Sequence, residues 1–219
     1  LDLERSIGAE IADRLGGTWH PCNVLDFAGI EVVIAEAVEA MGGLDAVVTT
    51  AGGGRAGRTV GRSGPYSLDD FRAVLDLNVV GTFNANRLAG WHMSNNAPNG
   101  DGERGVMINT SSIAAFEGQI GQVSYTAAKA AVAGMTLTMA RDLGSLGIRV
   151  NTIAPSLFAT GLTARVTEDR AENLTKDAAF PRRMGRPDEY ARLAIAIMEN
   201  PMLNGDTIRL DGGQRFAPK

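Results

Sequence analysis

Three side chains carry the chemistry this sequence offers: Ser112, Tyr125 and Lys129, the last two in the run SYTAAK. Positions i and i+4 share one helix face, so the Lys129 ammonium is expected beside the Tyr125 phenol. A free phenol, with a pKa of about 10, is a poor proton carrier at neutral pH. Bringing it to about 7 takes roughly 4 kcal/mol of preferential stabilisation of the phenolate. A neighbouring cation acts in that direction. A serine hydroxyl facing the tyrosine would hold a substrate oxygen by hydrogen bond while the proton moves. The 21 basic residues include only three lysines, Lys129, Lys176 and Lys219. With equally few tyrosines, a chance Tyr-x-x-x-Lys is expected about 0.04 times at this helical spacing. The competing reading makes Tyr125 a half-buried helix residue and Lys129 a solvated one, and burial separates the two.

The elements that must position these residues follow from the pattern of the chain. Short β-branched or apolar runs predict strands near 18–23, 45–50, 105–111, 148–153 and 206–210. Helical periodicity predicts helices near 4–15, 30–41, 68–93, 122–143 and 188–198. The alternation implies an α/β fold, a doubly wound parallel sheet with helices on both faces. Ser111 and Ser112 then stand at a strand end and Tyr125 early in the following helix. Ser67, followed three residues later by Asp70, is a start signal for the third helix, with Pro65 closing the loop before it. The chain opens on Leu1-Asp2-Leu3, read as the tail of a strand, and runs straight into a helix. The first strand and Gly-rich turn of such sheets are missing, so the sequence is expected to be N-terminally incomplete.

At 219 residues the chain is sized for a single domain spanning 1–219. A net charge of -4 gives no electrostatic reason to expect nucleic acid or an anionic membrane as partner. No apolar run approaches the roughly 20 residues that span a bilayer. Cys22 stands alone and cannot form an internal disulfide, which suits a reducing, cytoplasmic compartment. His20 and His92 are too few and too separated for a metal site, so none is expected. HExxH, CxxC, the P-loop and G-x-S-x-G are all lacking, which leaves zinc hydrolase, P-loop and α/β-hydrolase readings without support.

Together these stretches resemble the short-chain dehydrogenase/reductase family over nearly the whole chain. TTAGG at 49–53 is similar to its Asn-Asn-Ala-Gly segment, with Thr49 and Thr50 in place of the asparagines. LDLNVVGTF sets Asn78 where the family has its helix-kinking active-site asparagine. NTSSIAAFEGQIGQVSYTAAKAAV carries Ser112, Tyr125 and Lys129 at the family spacing, and IRVNTIAPSLFAT and NGDTIRLDGG resemble two later strands. Within the family, RGVMINTSSIAAFEGQIGQ, GMTLTMARDL and ENPMLNGDTIRLDGG are similar to the branch of 3-hydroxyacyl-CoA dehydrogenases.

The resemblance implies hydride transfer between NAD and a secondary alcohol or ketone, most directly a 3-hydroxyacyl-CoA/3-oxoacyl-CoA pair in fatty acid metabolism. The alternatives are a 3-oxoacyl-carrier-protein reductase, another alcohol or hydroxysteroid dehydrogenase, or a catalytically silent scaffold of the same fold. It implies catalytic roles for Ser112, Tyr125, Lys129 and Asn78, the last holding a water that links Lys129 to solvent. The positive nicotinamide ring would add to the field on Tyr125. For the cofactor it implies Asp2, Asn23, Val24, Thr50, Ala51, Gly52, Tyr125, Lys129, Pro155, Phe158 and Thr160. Asp2 would accept from the adenosine ribose and repel a 2′-phosphate, which selects NAD over NADP; its alternative is an ordinary strand-end aspartate. Asn23 stands where an aspartate usually meets adenine, and Ser156 where a glycine is usual. Gln119, like Ser112, is a candidate substrate contact, and 157–181 a candidate substrate lid. Arg55, Arg58 and Arg62 in one Gly-rich loop suit a CoA phosphate, or are simply solvated. The small residues of 127–134 pack on the sheet and, by the resemblance, form a seam within a homotetramer.

Overall fold

The computed structural model describes residues 1–161 and 167–218. Its strands are β1 (Ala46–Thr49), β2 (Val60–Gly61), β3 (Gly64–Pro65), β4 (Gly105–Thr110), β5 (Ile148–Pro155) and β6 (Thr207–Leu210). Its α-helices are α1 (Gly8–Leu15), α2 (Gly29–Met41), α3 (Leu68–Leu75), α4 (Gly81–Met93), α5 (Val123–Gly144), α6 (Glu168–Thr175) and α7 (Pro187–Glu199). The sheet runs β1-β4-β5-β6, every pair parallel, while β2 and β3 form a separate antiparallel hairpin.

β4 and β5 are buried along almost their whole length because both their faces are covered. Met107, Ile148 and Val150 pack with Ala89 and Met93 of α4 and Met139 and Ala140 of α5. Val106, Ile108 and Ile153 point the other way, against Ala194 and Ile197 of α7. The expected α/β architecture with helices on both faces is the observed one.

Three expectations need correction. The strand at 18–23 reduces to a single parallel bridge between Asp2 and Pro21; Pro21 has no N–H to give a ladder. The first helix begins at Gly8, not at residue 4, and none of its residues is buried. The helix expected over 68–93 is three pieces, because Asp76–Val80 widens into a π-helical turn. Ser67 does cap α3, its hydroxyl accepting from Asp70 N at 3.1 Å, but Pro65 pairs with Val60 in the hairpin. Of the stretch 157–181, residues 162–166 lie outside the described residues and α6 occupies part of the rest. Among the described residues no helix is long and apolar enough to cross a membrane.

Candidate active site

Parallel strands deliver their following loops to one edge of the sheet, and ligands of such folds bind there. Residues 50–54 leave β1 at this edge, Ser111 and Ser112 leave β4, and Ser156 leaves β5. Ser112 opens a short 3-10 turn, its hydroxyl accepting from Ala114 N at 3.2 Å. The same hydroxyl lies close enough to the Tyr125 phenol, in the first turn of α5, to act on its proton affinity. One turn on, Lys129 lies with its Nζ 5.7 Å from the centre of the Tyr125 ring. Lys129 is only 3 % exposed, which rules out the solvated alternative.

The electrostatics run against the expected depression of the phenol. Burial drives Tyr125 above its ordinary value, and only the Ser112 hydroxyl acts the other way. Burial equally holds Lys129 down to about 8. Two groups that become charged in opposite protonation steps have both been taken out of water, and desolvation is the largest cause of each shift.

Beneath this trio lies a bed of buried polar groups. Lys129 Nζ donates to Thr110 O at 2.9 Å, and Ser111 Oγ donates to Lys129 O at 2.7 Å. Asn78, fully buried in the π-turn, donates through Nδ2 to Gly53 O and Val74 O and accepts at Oδ1 from Gly53 N. A Cβ at Gly52 would fall 2.6 Å from Asn78 Oδ1 and 2.9 Å from Lys129 Nζ, so only glycine fits against the ammonium. Thr110 Oγ1 donates to Thr49 O at 2.6 Å and bonds the Tyr190 hydroxyl at 2.7 Å. Its one proton goes to Thr49, so Tyr190 is the donor in the second bond. Thr49 reaches Asn109 in turn, Oγ1 to Oδ1 at 2.6 Å.

The candidate cofactor residues divide into two groups. Around the trio, Thr50 and Ala51 are exposed after β1, Gly52 touches Lys129, and Pro155 ends β5. Phe158 bridges Gly185 and meets Tyr190 edge-on at 6.4 Å between ring centres; Thr160 follows, exposed. At the other end, Asp2 and Asn23 flank the Asp2–Pro21 bridge beside an open recess lined by Leu3, Glu4, Arg5, Pro21, Cys22 and Asn23. Both are exposed, though Asp2 Oδ1 accepts from Leu3 N and Asn23 Oδ1 from Leu25 N. Val24 instead packs inward beside Gly81 and the Cys22, Ile30, Ile34 and Leu88 cluster.

A dinucleotide's sugar fits the donors at the trio. Among the described residues Lys129 gives one hydrogen bond, which leaves two ammonium hydrogens for hydroxyl oxygens beside the phenol.

Gln119 is less available to a substrate than expected, because its Nε2 donates to Ala217 O at 3.2 Å. It lines an open groove with Gly57, Arg58, Val60, Ile120 and Val123. Of the loop arginines, Arg58 faces this groove, while Arg55 is paired with Asp70. Tyr66 holds that loop to α5 by bonds to Arg55 O at 3.0 Å and Ser124 Oγ at 3.1 Å.

Sequence reasoning missed Tyr66, Thr110 and Tyr190. A compositional signal existed: the chain has three tyrosines, and each is engaged at this edge.

Residues 2–215 match the family model described as enoyl-(acyl carrier protein) reductase. The 3-hydroxyacyl-CoA dehydrogenase type-2 of Drosophila melanogaster is 46 % identical over 221 residues, covering 99 % of this chain and 87 % of the relative. The crystal structure of 3-hydroxyacyl-CoA dehydrogenase type-2 from Mycobacterium avium superposes with a TM-score of 0.94 at 40 % identity, covering 100 % of this chain and 86 % of that one. A 7α-hydroxysteroid dehydrogenase complexed with NADH and 7-oxo glycochenodeoxycholic acid gives a TM-score of 0.81 at 27 % identity, over 94 % of this chain and 78 % of that one.

Proposed function

The chain belongs to the short-chain dehydrogenase/reductase family, and from that premise we propose that it oxidises 3-hydroxyacyl-CoA thioesters and reduces 3-oxoacyl-CoA thioesters with NAD(H). One observation carries the reading: the Lys129 ammonium is buried against the Tyr125 ring, with the Ser112 hydroxyl beside the phenol.

The nicotinamide, when bound, supplies the hydride acceptor or donor. The protein's own residues do the rest. Ser112 holds the substrate oxygen, and the Tyr125 oxygen takes its proton in oxidation and returns it in reduction. The two remaining Lys129 hydrogens would hold the cofactor's ribose hydroxyls beside the phenol. Asn78, with both amide hydrogens already committed, offers a water only its carbonyl oxygens. Such a water would have to donate to them in any relay toward Lys129. Burial holds Tyr125 above its ordinary value, so a cation beside the phenol is what its proton transfer at neutral pH would draw on.

Asp2, exposed at the far recess, supports NAD over NADP through its carboxylate. Arg58 in the groove beside Gln119 supports a phosphate-bearing thioester. Exposed Phe83, Trp91 and Leu137 on α4 and α5 support a homotetramer, and the lone Cys22, buried and unpaired, supports a cytoplasmic setting.

The test is a panel of 3-hydroxyacyl-CoA, acyl-carrier-protein, hydroxysteroid and simple alcohol substrates with both cofactors, followed by nicotinamide absorbance. Turnover of the CoA thioesters with NAD is expected. Turnover confined to the other classes would overturn the substrate assignment. Asp2→Ala is expected to raise the use of NADP, and an unchanged preference would make Asp2 structural.

A further inference from the structure

Residues 211–218 play no part in the proposed reaction, yet they are tied to two separate segments at once. Toward α6, Gln214 is 1 % exposed and its Nε2 donates to Leu174 O at 2.7 Å. That carbonyl lies in the last turn of α6, where helix carbonyls lack intrahelical partners. A side chain far along the sequence therefore caps the helix. Phe180 N donates to Gly212 O at 3.0 Å. The turn at this point needs glycine, with φ of 60° at Gly212 and 73° at Gly213. A Cβ on Gly212 would also fall 3.0 Å from Phe180 O.

The same stretch also grips the segment that follows Ser112. Glu117 receives Arg215 of this stretch at 3.3 Å and Arg209 of the preceding β6 at 2.9 Å, and Asp211 receives the same two at 3.1 and 2.7 Å. Arg209 lies over the Phe116 ring, 5.0 Å from its centre. Gln119 Nε2 donates to Ala217 O at 3.2 Å and Ile120 N to Pro218 O at 3.1 Å. The segment gripped here runs from Ser112 to Tyr125 and leaves β4; α6 lies in the chain that leaves β5, its neighbour in the sheet.

We propose that residues 211–218 are a strap joining α6 to the 116–120 segment, and that the strap sets the acyl-chain length the enzyme accepts, with Gln214 as its positioning residue. Two attachments around a glycine turn fix a spacing as well as a position. Ser112 opens and Tyr125 closes the segment that one attachment grips, and the other attachment holds the chain leaving the neighbouring strand. The proposal rests on the acyl-CoA reading above.

Gln214→Met keeps the volume and removes the donor; Glu117→Gln loosens the other attachment on a part-exposed surface and serves if the first variant fails to fold. Hydrogen exchange over residues 168–180 is expected to rise about tenfold in Gln214→Met, the loss of roughly one hydrogen bond. The kcat/KM ratio between long and short 3-hydroxyacyl-CoA substrates is expected to shift in either variant, with NADH affinity unchanged. A shifted ratio supports the strap, because a merely structural role would lower all substrates alike. An unchanged ratio in folded variants, or unchanged exchange over α6, overturns it. A wild-type protein inactive on every acyl-CoA would instead sink the functional reading, and the exchange result would still report on the attachment.

Discussion

Lys129 of α5 and Arg149 of β5 are buried cations at opposite edges of the parallel sheet, and the fold treats them in opposite ways. Arg149 stands near the amino end of β5 with its side chain 7 % exposed. It meets Glu103 at 2.9 Å and donates to Ile197 O, Met198 O and Leu203 O at 2.8 to 3.0 Å. Two of those carbonyls belong to the last turn of α7, so the guanidinium also closes a helix end. Lys129, at the opposite edge, gives one bond among the described residues and has its proton affinity lowered by burial. A fully satisfied cation rigidifies. One with donors to spare is arranged for a ligand.

The largest expected effect lies on the ligand side of that comparison. Tyr125→Phe is expected to cut turnover by about a hundred- to ten-thousandfold, the usual range for removing an acid–base group. Cofactor affinity, read by nicotinamide fluorescence, should persist. Wild-type rates in this variant would end the proposed role. On the structural side, Arg149→Leu is expected to destabilise by about 3–5 kcal/mol, because Glu103 and three carbonyls lose their partner. Turnover per folded molecule should hold. Denaturant melts beside active-site titration separate the two quantities, and a variant as stable as wild type would erase the contrast.

Lys129 sharpens the contrast through pH. An unfolded lysine loses its proton near 10.5 and the folded one near 8. Between those values the unfolded chain binds more protons, so stability rises with pH across the window. The burial penalty is present in full below pH 8 and is on the order of 3 kcal/mol. Cys22, Tyr125 and Tyr190 have raised values and act oppositely at alkaline pH, since the unfolded chain gives up their protons first. The clean measurement is therefore wild type minus Lys129→Met, followed by denaturant melts from pH 7 to 10.5. A flat difference would mean that Lys129 is not desolvated in the folded protein.

How much of this was legible in the sequence follows from the range of the forces. β4, β5 and α5 were placed to within a residue or two, because short β-branched or apolar stretches and an i, i+4 pair are local patterns. Ser112 and Tyr125 were placed together for the same reason, with a strand end and a helix start thirteen positions apart. The strand at 18–23 failed because propensity there had only Asp2 to pair with. The π-turn at Asn78 was not visible in periodicity; only the resemblance pointed to a kink. The burial that raises Tyr125 was not legible, because a sequence shows the cation but not what surrounds the phenol. Tyr190 was missed because its contacts to Thr110 and Phe158 reach across 80 and 32 positions.

Tyr190 gives the smallest effect and tests how far the site's tolerance extends. Its hydroxyl donates to Thr110 Oγ1, and the carbonyl of the same Thr110 receives the Lys129 ammonium. Tyr190→Phe removes one neutral donor and keeps the ring against Phe158. Thr110 keeps its bond to Thr49 O, so no buried hydrogen is left without a partner. The loss is expected to be about 1 kcal/mol, or roughly 2–4 °C in melting temperature. Turnover should fall less than in Tyr125→Phe but measurably, whereas Arg149→Leu should leave it untouched. If Tyr190→Phe costs several kcal/mol with turnover intact, Tyr190 belongs with Arg149 as a structural anchor, and the line between the two edges has to be redrawn.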